Sequence, residues 1–178
     1  MALHQFRVQI KVKGEKVELH LFNMESPDFI KELGLLSSQH VSKSYTDNVM
    51  AVCVSHGLPM GIDIEKKRKR SPETMKHFVE KFTTFEMINT PQHLEEEWFY
   101  RTWTAMESYF KLMGGGFATN KNFSLDIERK CILRKGKEVA WIEHFIIDVF
   151  IICLCSNQVL SKEEVKIITH GWETMPQG

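Results

Sequence analysis

The sequence has no CxxC pair, no unbroken apolar run and no surplus of charge of either sign. Each lack excludes something. Cys53, Cys131, Cys153 and Cys155 lack the spacing of a zinc ribbon, and they read as buried free thiols in a reducing compartment. The most apolar stretch, Trp141 to Cys155, is broken by Glu143, His144 and Asp148 and falls short of a membrane span. Met1 to Gln9 holds no apolar core of a secretory leader, so the cytoplasm is the expected location, with no membrane partner. Lys plus Arg is 23 and Asp plus Glu is 23, which argues against a broad nucleic-acid-binding surface. What is present is a core: 178 residues, 43% hydrophobic, with twelve Phe and four Trp, suit one domain or two small halves.

The pattern along the chain mixes strands with a few helices. Val8, Ile10 and Val12 alternate, as do Val17, Leu19 and Leu21, with Lys13-Gly14-Glu15 as a hairpin turn between them. Ser26-Pro27 opens a short helix to about Leu36. Ser37 to Asn48 is polar and reads as irregular. Val49 to Ser55 reads as a strand, Gly57-Leu58-Pro59 as a turn, and Met60 to Glu65 as the partner strand. A helix starts at Ser71-Pro72-Glu73 and runs to about Lys81, and a further helical turn begins near Thr84. Glu95 to Leu112 is the longest periodic segment, with Phe99, Trp103, Met106 and Phe110 as its core stripe and Gly114-Gly115-Gly116 as its stop. Phe123, Leu125 and Ile127 make a strand, Val139 to Cys155 two more, and Val165 to Thr169 a last short one. Strands grouped this way favour an α+β fold with mainly antiparallel sheet. A single chain of this length is expected to be a monomer.

Three clusters carry chemistry. In Gly61-Ile62-Asp63-Ile64-Glu65, Ile62 and Ile64 share one face of a strand, and the two acids share the other, about 7 Å apart. Such a pair is either a solvated face or one side of a site for a hard cation. On the long helix, Tyr100, Thr104, Glu107 and Lys111 form a second stripe. Glu107 and Lys111 are either a surface ion pair or a half-buried carboxylate that needs a cation. Lys66 to Arg70 are five consecutive basic residues, either a solvated loop or an edge that binds phosphate or an acidic protein.

Taken together, the motifs resemble the 4′-phosphopantetheinyl transferases, and in particular their larger, surfactin-synthetase-activator (Sfp-like) type. The stretches that carry the resemblance are Gly61-Ile62-Asp63-Ile64-Glu65-Lys66 and Trp103-Thr104-Ala105-Met106-Glu107-Ser108-Tyr109-Phe110-Lys111. Two such motifs about forty residues apart are more specific than either alone. Val41-Ser42-Lys43-Ser44, Phe82 to Glu86 and Gly114 to Phe117 resemble shorter family segments. Met106 stands where the family pattern has lysine, and Lys43 stands where histidine is common.

The resemblance implies two similar α+β halves in a pseudo-two-fold arrangement, here a shortened first half, 1–60, and a second half, 61–178, carrying both motifs and a short tail. It implies transfer of the phosphopantetheine arm of coenzyme A to a serine of an apo acyl or peptidyl carrier protein, with Mg2+. It places Asp63, Glu65 and Glu107 as metal ligands. Glu107, Lys111 and Glu86 become the catalytic candidates, and Ser42, Lys43 and Lys111 the contacts to coenzyme A phosphates. The rival reading is a degenerate homologue that binds coenzyme A or a carrier protein without transfer, motivated by Met106 and the short first half.

Overall fold

A computed structural model describes residues 10–12, 15–26, 28, 40–55, 57–83, 92–115, 123–159 and 166–170. The architecture is α+β: two five-stranded sheets and, among the described residues, two helices. The first sheet contains β1 (Ile10–Val12), β2 (Glu15–Asn23), β3 (His40–Thr46), β4 (Val49–Ser55) and β10 (Lys166–His170). Its order is β1-β2-β4-β3, and β10 lies parallel beside β2. The second sheet runs β5-β9-β8-β7-β6 and is antiparallel throughout. Its strands are β5 (Met60–Lys66), β6 (Ser124–Asp126), β7 (Cys131–Arg134), β8 (Lys137–Ile147) and β9 (Phe150–Ser156). The helices are α1 (Pro72–Phe82) and α2 (Gln92–Leu112). Among the described residues, no helix is long and apolar enough to cross a membrane.

Alternation builds the layers. Val17, Leu19 and Leu21 of β2 meet Val49, Ala51 and Cys53 of β4, then Ile62 and Ile64 of β5 and Ile152 and Leu154 of β9. These residues form the core between the sheets. The opposite residues of β9, Cys153 and Cys155, pack under Ala105, Met106 and Tyr109 of α2. Two facing sheets, one backed by helix, are consistent with the pseudo-two-fold arrangement that the resemblance implies.

Helix α1 begins with proline at its first turn, where the missing N–H costs no hydrogen bond. Glu73 in its first turn and Lys81 in its last complement the helix dipole. Met75 and Val79 are buried with Phe99, Tyr100 and Ile151. Helix α2 ends in a Schellman turn: Gly114 N–H donates to the Lys111 carbonyl, Gly115 N–H to the Phe110 carbonyl, and Gly114 has φ +66°. The four cysteines are buried free thiols, and burial pushes the Cys53 thiol up to about 12.

Two sequence expectations are corrected and one strand is added. Met60–Glu65 is not the partner of Val49–Ser55: β4 pairs with β2 and β3, and β5 pairs with β9 in the other sheet. The turn at Gly57-Leu58-Pro59 carries the chain between sheets, and local turn chemistry does not distinguish that from a hairpin. His40–Thr46, expected to be irregular, is strand β3. Its inward residues include Ser42 and Ser44, so it lacks the apolar alternation by which strands are read. Cys131–Arg134 forms β7, a strand the sequence pattern does not reveal. The expected helix to Leu36 lies outside the described residues beyond its start, where Ser26 Oγ accepts the Asp28 N–H at 3.4 Å. The helical turn near Thr84 also lies outside them.

Candidate functional site

Helix α2 runs antiparallel along β5, and one glycine permits the approach. A Cβ built on Gly61 would lie 1.8 Å from the Ser108 carbonyl oxygen and 2.8 Å from the Leu112 nitrogen. No other residue fits there. The contact sets the register of helix on strand. Ser108 rides over Gly61, Trp103 comes beside Glu65, and Tyr100 reaches the backbone of Arg68. Ser108 Oγ also donates to Cys153 Sγ at 3.4 Å, on the strand that pairs with β5.

This register brings the two motifs together. Asp63 is 4% exposed, deep for a carboxylate. Its Oδ1 accepts hydrogen bonds from Lys111 Nζ at 2.8 Å and Ser44 Oγ at 2.7 Å. Its Oδ2 is buried without a hydrogen-bond partner. Burial pushes the Asp63 carboxyl above its ordinary value, against the pull of Lys111, Ser44 and the Ile64 amide. Glu65 and Glu107 are half-buried. Both are also raised, first by burial and then by the charge of Asp63. Arg70, Arg68 and the Trp103 indole N–H pull Glu65 back down, and Lys111 does the same for Glu107. The three carboxylates therefore share one electrostatic environment, centred on Asp63. Lys111 forms its ion pair with Asp63, so of the two readings of Glu107 and Lys111 the half-buried carboxylate holds and the surface pair does not.

Among the described residues, no group of three His, Cys, Asp or Glu side chains converges closely enough to hold a metal ion. The donor set still suits a hard cation. It is all oxygen, its carboxyls are held above their ordinary values by burial, with Glu65 and Glu107 raised further by the charge of Asp63, and Asp63 Oδ2 is a buried acceptor without a donor.

The other sequence candidates divide. Ser42 and Ser44 both turn toward β5: Ser42 Oγ accepts the Ile62 N–H at 3.1 Å, and Ser44 bonds Asp63. Lys43 alternates to the other face of β3 and is exposed, away from the carboxylates. Glu86 lies outside the described residues, as do Gly116 and Phe117. Met106 is 0% exposed in the core, as the helical stripe expects.

The basic run is less open than its composition suggests. Lys66 Nζ meets Asp47 Oδ2 at 3.0 Å, and the Arg68 guanidinium also bonds Asp47. Tyr100 OH accepts the Arg68 N–H at 2.8 Å and donates to the Arg68 carbonyl at 2.9 Å. Arg70 lies over the Phe99 ring, 5.3 Å from its centroid, with Nε 3.3 Å from Tyr100 OH. Ser44, Trp103 and Tyr100 are the site residues that sequence reasoning missed as such. All three sit inside or beside the quoted motifs, but only their long-range partners reveal what they do.

An α+β fold that lays an acidic strand under a Glu/Lys helix through a glycine contact defines a narrow class. The sequence pattern of the 4′-phosphopantetheinyl transferase superfamily matches residues 59–148, half of the chain. The chain belongs to that superfamily. It is also similar to the 4′-phosphopantetheinyl transferase Sfp of Bacillus subtilis (strain 168), 31% identical over 67 residues. That stretch is 38% of this chain and spans only 30% of the relative's length.

Proposed function

We propose that this chain transfers the 4′-phosphopantetheine arm of coenzyme A to a serine hydroxyl of an apo acyl or peptidyl carrier protein, releasing adenosine 3′,5′-bisphosphate. The supporting observation is that Lys111 pairs with Asp63, whose charge reaches both Glu65 and Glu107, within the stretch that matches the superfamily. The finer likeness, to the larger Sfp-like type, belongs to this proposal too.

Asp63, Glu65 and Glu107 are the residues that would hold Mg2+. A magnesium ion held there would supply Lewis-acid stabilisation of negative charge on the pyrophosphate of coenzyme A. Glu107, half-buried with its carboxyl raised, is suited to accept the proton of the attacking serine. The Lys111 ammonium has three donors. One is on Asp63, and the others are available to phosphate oxygens as charge builds on the leaving group. Ser42, Lys43 and Glu86 keep the roles that the resemblance implies, as contacts to coenzyme A phosphates and as a further acid near the reaction. Lys66 to Arg70 form a basic edge suited to steer an acidic carrier.

A second reading, binding without transfer, rests on Met106 and the short first half: a fully buried methionine leaves that helix position without the usual cation. Intact mass of apo-carrier proteins after incubation with the chain, coenzyme A and Mg2+ separates the two. A gain of about 340 Da is expected, the added mass of the phosphopantetheine group in this transfer. No gain across several carrier classes, with coenzyme A still bound in calorimetry, overturns transfer in favour of binding.

A further inference from the structure

The two oxygens of Asp63 have unlike surroundings. Oδ1 receives two donors, Ser44 Oγ at 2.7 Å and Lys111 Nζ at 2.8 Å. Oδ2 receives none and is buried. The donors also differ in kind. Lys111 reaches in from α2 on a long side chain that is 32% exposed. Ser44 is short, buried and fixed on a strand of the opposite sheet. Lys111 therefore supplies charge, while Ser44 supplies direction.

The geometry points to Ser44 as a positioning residue for the cation site: it ties Oδ1 of Asp63 so that Oδ2 is the oxygen presented to the metal. This inference rests on the reading of Asp63 as a magnesium ligand. A buried carboxylate turning about its last torsion presents either oxygen, and two donors on one oxygen remove that choice. Magnesium tolerates misplaced ligands poorly, because it demands near-octahedral geometry. Hydrogen-bond partners of metal ligands typically contribute about 10- to 100-fold to affinity.

Two neighbouring hydroxyls on β3 show a division of labour. Ser42 Oγ accepts the Ile62 N–H at 3.1 Å and so fastens strand to strand. Ser44, two residues on and on the same face, fastens to the Asp63 side chain instead. Strand β3 is at the edge of the first sheet and β5 at the edge of the second. The first sheet thus reaches the carboxylates through one hydroxyl, although the acids themselves belong to the second.

The test is calorimetric titration of Mg2+ into the full chain. Ser44→Ala is expected to bind Mg2+ about tenfold more weakly. Ser44→Thr, which keeps the hydroxyl, is expected to recover most of that loss. In chelator the melting temperature of the alanine variant stays near that of the parent, while the rise caused by Mg2+ shrinks. If Ser44→Ala does not fold, Ser44→Cys carries the same test, since its thiol keeps the volume and is a poor donor. Unchanged Mg2+ affinity in the folded variant overturns the role of Ser44 and leaves the proposed function standing. Absence of Mg2+ binding by the parent chain removes the metal reading of Asp63, and the role of Ser44 with it.

Discussion

Strands β2 and β5 face the same core from opposite sheets, and both alternate. On β2, Val17, Leu19 and Leu21 point inward, and Glu18, His20 and Phe22 line the other face. On β5, Ile62 and Ile64 point inward, and the other face carries Gly61, Asp63 and Glu65. The inward residues are interchangeable in kind. The outward ones are not. The outward face of β2 holds a stack of rings, with Phe22 and His170 centroids 4.2 Å apart. The outward face of β5 lies beneath α2, with a glycine that admits the helix and, beyond it, Asp63 paired with Lys111 and Glu65 beside Trp103. Apolar periodicity locates the core, and the residues that interrupt it on the covered face locate the chemistry.

The sharpest way to break this contrast is Asp63→Ala. It removes the central carboxylate from β5 and leaves both inward faces intact. Transfer to an apo-carrier is expected to fall below detection at saturating Mg2+, while the melting curve stays cooperative. Persistent transfer, read by intact mass, overturns the assignment of Asp63.

Gly61→Ala attacks the helix contact rather than the charge. The new Cβ meets backbone of α2, which cannot rotate aside as a side chain can. Overpacking of this kind costs about 3 kcal/mol, measurable by urea unfolding, and transfer should fall with it as Glu107 and Lys111 move away. Met106→Lys sharpens the comparison from the helix side. It restores the family's charge but places an ammonium in a fully buried, apolar setting. A loss of about 2 kcal/mol is expected, without the increase in transfer that an accessible cation would bring. Faster transfer with unchanged melting would show that position 106 reaches the phosphates.

The smallest effect is with pH. Burial raises the carboxyls of Asp63, Glu65 and Glu107 above their ordinary values. The folded chain therefore takes up these protons at higher pH than the unfolded chain does. The contribution of these groups to stability is least favourable above their folded values and improves as pH falls through them toward the ordinary carboxylate range. Urea midpoints from pH 7 downward should show the parent gaining on Asp63→Asn, in the same interval where protons compete with Mg2+ and transfer declines. Parallel curves would remove the claim that Asp63 is held in a charge-averse site.

Much of this was legible from residues alone. The strand acids, the helix carrying Glu107 and Lys111, and the buried place of Met106 follow from periods of two and of three to four. Strand β3 escaped, because its inward hydroxyls serve as hydrogen-bond donors and acceptors rather than as apolar packing. The pairing of β5 escaped, because a turn fixes a change of direction and not the sheet into which the chain goes. The ties of Lys66 and Arg68 to Asp47 and of Arg68 to Tyr100 escaped, because a run of charge does not show partners distant in sequence.

Strand β10 lies on the edge of β2, bringing His170 within 2.9 Å of His20, 150 positions earlier. The second sheet, by contrast, is assembled from one continuous stretch between Met60 and Ser156. During synthesis, β2 leaves the ribosome long before its parallel neighbour exists but finds β1 and β4 at once, whereas the acidic strand, at the edge of its sheet, must wait for β9. Closing so long a loop is entropically costly and slow. The order of birth therefore favours a nascent chain in which β1 to β4, including the strand that supplies Ser44, are paired first, while the acidic strand still awaits β9.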